Sequence, residues 1–283
     1  MGDISKARWE AYRAETFRLG RGGKLRNEDD AVQFVNERGF VYFWPNKGVD
    51  MPTLWGAVAG NRPVADKHDD PGHVTWRWKD RLLPARRWYY GKLVRGKATM
   101  VALPALKYFY ALSENTGDPG DYMLEYEAGR MSTEARQVYE ALLVQGALDT
   151  LALRREARMT GNESNARFER ALVELQRGLR ILPVGVAEVG RWKYAFTYEL
   201  VDRWFPEVVE QARAIGRGAA RAHLLDLYLT SVGAATERQA AGLFRWRRDE
   251  AAKAAAALEA TGRARPAEAV AGQSGEWWVT AEC

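Results

Sequence analysis

Two of the chain's three histidines stand in one polar run, Lys67-His68-Asp69-Asp70-Pro71-Gly72-His73, which continues into Thr75-Trp76-Arg77-Trp78-Lys79-Asp80. An imidazole beside carboxylates is a general acid/base pair, so His68, Asp69, Asp70 and His73 are candidate catalytic residues. The same four side chains could hold a divalent cation, but their spacing matches no ligand motif, and neither metal nor cofactor is expected. A structural role competes, because an aspartate ahead of Pro71-Gly72 suits a helix cap and loop histidines can satisfy backbone groups. Five of the eleven tryptophans, Trp44, Trp55, Trp76, Trp78 and Trp88, flank this run. Each packs a core by default. Together they also suit the walls of a pocket for a planar ligand, since stacking on a base is worth roughly 1–3 kcal/mol.

Charge is less decisive. Lys and Arg number 42 against 37 Asp and Glu, a net +5 that permits nucleic acid without demanding it. Arginine arrives in clusters, at 86–87, at 154, 155 and 158, at 167, 170 and 177, and at 245, 247 and 248. A planar guanidinium suits bidentate phosphate contacts, although each cluster alone can equally be a solvated helix face. One cysteine, Cys283, excludes an internal disulfide framework and fits a reducing compartment. The opening MGDISKARWEAYRAE lacks a leader's apolar stretch, and no run approaches the roughly 18 apolar residues of a membrane span. A cytoplasmic, nucleoid-associated protein is expected. The chain has no GxGxxG after a strand, GxxxxGKS/T, HExxH or GxSxG, so nucleotide-dependent, zincin and α/β-hydrolase readings lack support.

The elements that must position these residues read as a repeated unit. Ser132 caps a helix carrying Val138, Leu142 and Leu143 and stopped by Gly146; Asp149 or Thr150 opens a second, and a third runs from about Asn165 to Arg177. Phe168, Leu172, Leu175 and Leu179 line one face of that third helix, Arg167, Arg170, Glu174 and Arg177 another. RILPVGVAE and WKYAFTYEL then form a hairpin. Three helices followed by a hairpin is the winged-helix order, in which the third helix enters a major groove.

The order recurs in a helix ending near Gly233, a capping box over Thr236–Gln239, the Ala-rich RDEAAKAAAALEATG, and strands RARPAEAV and EWWVT with a turn from Ala271 to Gly275. Aligning Gly146 with Gly233 brings Trp192 near Trp277. Helices in NEDDAVQFVNERG and PTLWGAVAG, then a hairpin of RRWYYGKLV and KATMVAL, read as a degenerate first copy. The expected fold is mainly α with small β-hairpins, an α+β chain of three tandem winged-helix units. They span 1–130, with the aromatic and histidine pocket, 131–200, and 217–283, with a linker helix over 201–216. The expected partner is double-stranded DNA, damaged sites included, contacted by Arg154, Arg155, Arg167, Arg170, Arg177, Arg247 and Arg248.

Three stretches make the chain resemble the AlkZ/YcaQ-type DNA glycosylases, the crosslink-repair family of winged-helix proteins. RGFVYFWPNKGVDMPTLWGAV sits where that family carries its catalytic segment, RRWYYGKLV resembles its aromatic hairpin, and Gly146 to Leu200 resembles its second winged helix. The resemblance, to a short member, implies a concave DNA-binding surface and hydrolysis of the N-glycosidic bond of alkylated bases. One departure is chemical. Where family glycosylases carry glutamine, an apolar residue, then aspartate or glutamine, this chain has Tyr42, Phe43 and Trp44. A phenol and an indole do not position and activate water as a carboxylate or amide pair does. The resemblance thus implies a DNA binder that excises or recognises a flipped base, with Tyr42 as a further catalytic candidate. A non-catalytic DNA binder or regulator, and a small-molecule enzyme using the His68 to Asp80 pocket, are the alternatives.

Overall fold

A computed structural model describes residues 3–20, 22–67 and 69–283. After an opening helix, α1 (Lys6–Thr16), the chain runs three times through helix, short strand, helix, helix and hairpin. The first pass is α2 (Glu28–Arg38), β1 (Phe40–Tyr42), α3 (Leu54–Ala59), α4 (Val74–Leu82), β2 (Tyr89–Gly91) and β3 (Thr99–Val101), followed by α5 (Leu103–Tyr110) and α6 (Asp121–Glu127). The second is α7 (Thr133–Gln145), β4 (Leu148–Asp149), α8 (Thr150–Glu156), α9 (Asn165–Arg177), β5 (Ile181–Ala187) and β6 (Ala195–Leu200), followed by α10 (Val201–Trp204) and α11 (Pro206–Arg213). The third is α12 (Arg217–Val232), β7 (Ala234–Thr236), α13 (Glu237–Phe244), α14 (Arg248–Ala260), β8 (Ala264–Val270) and β9 (Gln273–Thr280). Each pass builds an antiparallel three-stranded sheet with its last strand in the middle, β1-β3-β2, β4-β6-β5 and β7-β9-β8. This is the winged-helix order, and the α+β fold of three such units read from the sequence is the fold observed.

Local chemistry fixes the element ends. Ser132 accepts from the Ala135 amide, Asp149 from Leu151 and Ala152, and Thr236 and Gln239 form a reciprocal capping box. Gly146 and Gly233 end α7 and α12 at φ 79° and 83°, which confirms their equivalence. Trp192 and Trp277 are not equivalent, however. Trp277 pairs with Thr236, the cap of α13, as Thr197 pairs with Asp149, the cap of α8; Trp192 lies outside the strands and is 82% exposed. The last turn is also tighter than the sequence suggested. Ala271 and Gly272, both at positive φ, join β8 directly to β9 at Gln273, since a two-residue turn matches the strand twist. Residues 201–216 hold two short helices rather than one, because Phe205 leaves helical geometry ahead of Pro206.

Long-range packing ties α1 to the third unit as well as to the first, where Arg13 pairs with Asp50 at 3.2 Å. The last carbonyls of α12 lack intrahelical donors. Trp9 Nε1, Tyr12 Oη and Thr16 Oγ1 donate to the carbonyls of Val232, Thr230 and Ser231, each at 2.8 Å, and Ile4 bridges to Val270. The first two units hold one another reciprocally. On one side, the hairpin connection of the first unit lies on α9, where Lys92 N donates to Gln176 Oε1 at 2.9 Å and Tyr89 Oη donates to the Gln176 carbonyl at 3.2 Å. On the other, Tyr194, the residue before β6, and Phe196 on β6 lie against Lys79 of α4.

Candidate nucleic-acid interface

The polar run singled out in the sequence is divided among separate tasks. His68 lies outside the described residues. Asp70 caps a 3-10 turn over Pro71–His73, accepting from Gly72 N at 2.7 Å, and pairs with Arg62 Nη2 at 2.5 Å. That guanidinium first, and the amide second, hold its carboxyl below the ordinary carboxylate range. Asp69 is exposed. His73 lies beside the rings of Trp44 and Trp55, at 6.1 and 5.3 Å, with Nε2 2.9 Å from the Ala65 carbonyl oxygen. Among the described residues no group of three or more His, Cys, Asp or Glu is arranged to hold a metal ion.

The tryptophans split the same way. Trp55, Trp78 and Trp88 are buried core residues, whereas Trp44 is half-buried and Trp76 exposed. Trp44 stacks edge-on against Phe43 and Trp76 and tilts onto Trp55, so these rings largely fill one another's surroundings. Residues 43–52 form an insertion between β1 and the α3 cap Thr53, which has no counterpart in the other units; Tyr42 closes it by bridging to Thr53. Tyr42 itself is buried, and its hydroxyl has no hydrogen-bond partner among the described residues. Burial pushes that phenol up to about 12, with Arg95 pulling the other way.

Beside this aromatic cluster, Lys79 is fully buried in a cage of rings. Its ammonium lies 4.4 Å from the centroid of Phe196, 4.7 Å from Trp76, 5.3 Å from Tyr90 and 5.5 Å from Tyr194. Asp80 Oδ1 is 2.6 Å away. Desolvation lowers the lysine's pKa and the carboxylate opposes it.

Elsewhere, residues of all three units meet around an open cleft. A cleft of about 330 Å³ is lined by Arg95 from the first hairpin, Arg177 at the end of α9, Arg217 and Arg221 on α12, and Arg245 at the end of α13. Phe109, Leu179, Leu224, Leu243, Phe244 and Trp246 supply its apolar wall. Arg221 is paired with Glu250 at 2.6 Å and Arg217 with Glu114 at 3.7 Å. No carboxylate lies within ion-pair distance of Arg95, Arg177 or Arg245 among the described residues. Burial, and then the charge of Arg245, lower the pKa of Arg177, while Glu174 opposes them.

Of the seven arginines expected to meet DNA, only Arg177 lines this cleft. Arg155 and Arg170 are exposed, and Arg167, Arg247 and Arg248 make surface ion pairs with Glu134, Asp249 and Glu237. Arg154 is turned inward, donating to the carbonyls of Met159 and Gly161 and so tying the loop between α8 and α9. Arg95, Arg217, Arg221 and Trp246 were missed as site residues because they meet only through tertiary packing; Arg245 was visible in its cluster.

Fold and cleft together define an α+β protein of three winged-helix units with an arginine-lined junction. The AlkZ-related family model matches residues 25–245, and the chain belongs to that family. Among solved structures, Streptomyces sahachiroi DNA glycosylase AlkZ superposes with a TM-score of 0.59 at 15% identity, covering 99% of this chain and 71% of that one. No curated protein matches the sequence.

Proposed function

We propose that this chain is a DNA-binding protein of DNA repair that grips the phosphate backbone in the arginine cleft and recognises its target without family-type base excision. The observation that carries the reading is the set of three arginines, Arg95, Arg177 and Arg245, that share one cleft without ion-pair partners. Guanidinium groups gathered in one cleft repel one another unless an anion joins them, and phosphate suits their planar donors. The family and its DNA glycosylase neighbour make DNA the natural bearer of that phosphate. Against excision stands the fate of the two positions where the family glycosylases carry their polar pair. Tyr42 is buried with an elevated pKa, and Trp44 is packed among rings, so neither side chain can activate water.

The test is a salt titration of duplex affinity. Each phosphate contact removed should cut the slope of log K against log salt by roughly 0.9, so Arg95→Ala, Arg177→Ala and Arg245→Ala combined should flatten it well beyond error. An unchanged slope in the triple variant overturns the cleft as the interface. Incubation with alkylated duplex should release no free base.

A further inference from the structure

We infer that the cleft takes an unpaired nucleotide, its base stacked on Trp246 and its phosphate among Arg95, Arg177 and Arg245; this rests on the DNA reading above. The juxtaposition is unusual for a surface that only tracks a duplex. The outside of a duplex is phosphate and sugar, which an arginine rim satisfies and an apolar wall does not. Here the rim is backed by the half-buried rings of Phe244 and Trp246, set over the core residues Leu179, Leu224 and Leu243. Such a wall gains contact only when a base leaves the helix and presents its flat face.

Trp246 is placed for that face. Arg245 ends α13 in the left-handed conformation, φ 59°, and the Trp246 amide returns to the Ala241 carbonyl at 3.1 Å. This turn lays the indole on Phe244, ring centroids 4.3 Å apart and planes 15° from parallel. Trp246 stays half-buried, and among the described residues no other ring and no cation stacks on it. A third ring would extend the stack. The cleft volume, about 330 Å³, also lies at the lower end of the roughly 300–1,000 Å³ found for small-ligand sites. It is a space for a nucleotide rather than for a duplex. The bland explanation, that Arg177 and Arg245 merely complement the ends of α9 and α13, accounts for neither Arg95 nor the aromatic stack.

The experiment compares binding to an intact duplex, and to the same duplex with one bulged 2-aminopurine, at matched salt. The wild-type chain should prefer the bulged DNA and quench the 2-aminopurine fluorescence by stacking. Trp246→Leu, which keeps an apolar side chain against Phe244, should lose the quenching and weaken bulged-DNA binding on the order of tenfold. Trp246→Phe, which keeps a ring at this position, should keep the preference for bulged DNA. Full quenching in Trp246→Leu overturns the inference, as does a wild type that binds both DNAs equally; the DNA reading would then stand. A wild type that binds neither DNA overturns both.

Discussion

Lys79 on α4 donates to the hydroxyl of Tyr194, the residue before β6, at 2.8 Å, and that hydroxyl donates in turn to Asp80 at 3.0 Å. Residues far apart in sequence thereby join the third helix of the first unit to the hairpin of the second. The ammonium gives up its hydration for one carboxylate, one hydroxyl and four aromatic faces. The joint also covers part of the helix that a free winged helix would offer to a major groove.

Truncating this joint should loosen the two units. Lys79→Ala leaves a buried void under the rings and strips Asp80 and Tyr194 of their shared partner, for an expected loss of about 2–4 kcal/mol. Urea unfolding measures it, and a loss below about 0.5 kcal/mol would mean the cage is no structural joint.

Leu175 reports on the second unit alone. It is 1% exposed in the cluster formed by Val138, Leu142, Phe168 and Leu172. Leu175→Ala should cost about 2–5 kcal/mol, the range for a buried leucine whose surroundings cannot collapse. A thermal scan should then show the variant melting earlier than wild type by several degrees.

His223 predicts an acid sensitivity. Its ring stacks on Tyr108 at 3.8 Å, and burial lowers its pKa below 6.5; Asp226 opposes this, while Lys107 and Arg263 reinforce it. Below 6.5 the unfolded chain takes up a proton that the folded chain refuses until a lower pH. Stability therefore falls as pH drops through 6.5 toward the folded-state pKa, and is fully present above 6.5. The Tm difference between about pH 7.5 and about pH 5.5 should shrink in His223→Gln. Equal differences in the two proteins would assign the acid sensitivity to other groups.

Where a local rule governs, the sequence was readable. The caps at Ser132, Asp149 and Thr236, the stops at Gly146 and Gly233, and the apolar stripe of α9 all express contacts within a few residues, and two units followed from them. The seat of α1 was not readable, because its cause is the row of open carbonyls at the end of α12, more than two hundred residues away. Nor was the burial of Lys79, since nothing around it in the sequence announces Phe196 and Tyr194. The cleft was hidden for the same reason. Its arginines at 95, 177, 217, 221 and 245 come from different elements, and only packing shows that they share a space while Arg154 folds inward.

Helix α9 allows the cleft to be tested against the groove-entry model, because its arginines divide between the two. Arg177 lines the cleft, whereas Arg167 and Arg170 lie on the exposed length of the helix, Arg167 within 3.7 Å of Glu134. All three are solvent-accessible, so removing their charge should change stability by no more than about 0.5 kcal/mol. If DNA sits in the cleft, Arg177→Gln alone should lower duplex affinity and cut the salt slope by about one contact. Arg167→Gln with Arg170→Gln should do less, since one of that pair is already partly neutralised and neither faces the junction. If DNA instead runs along α9, the double variant should lose about two contacts' worth of slope and Arg177→Gln at most one. The ratio of the two slope changes decides between the models without depending on absolute affinity, and a larger change in the double variant would move the interface out of the cleft and onto the exposed length of α9.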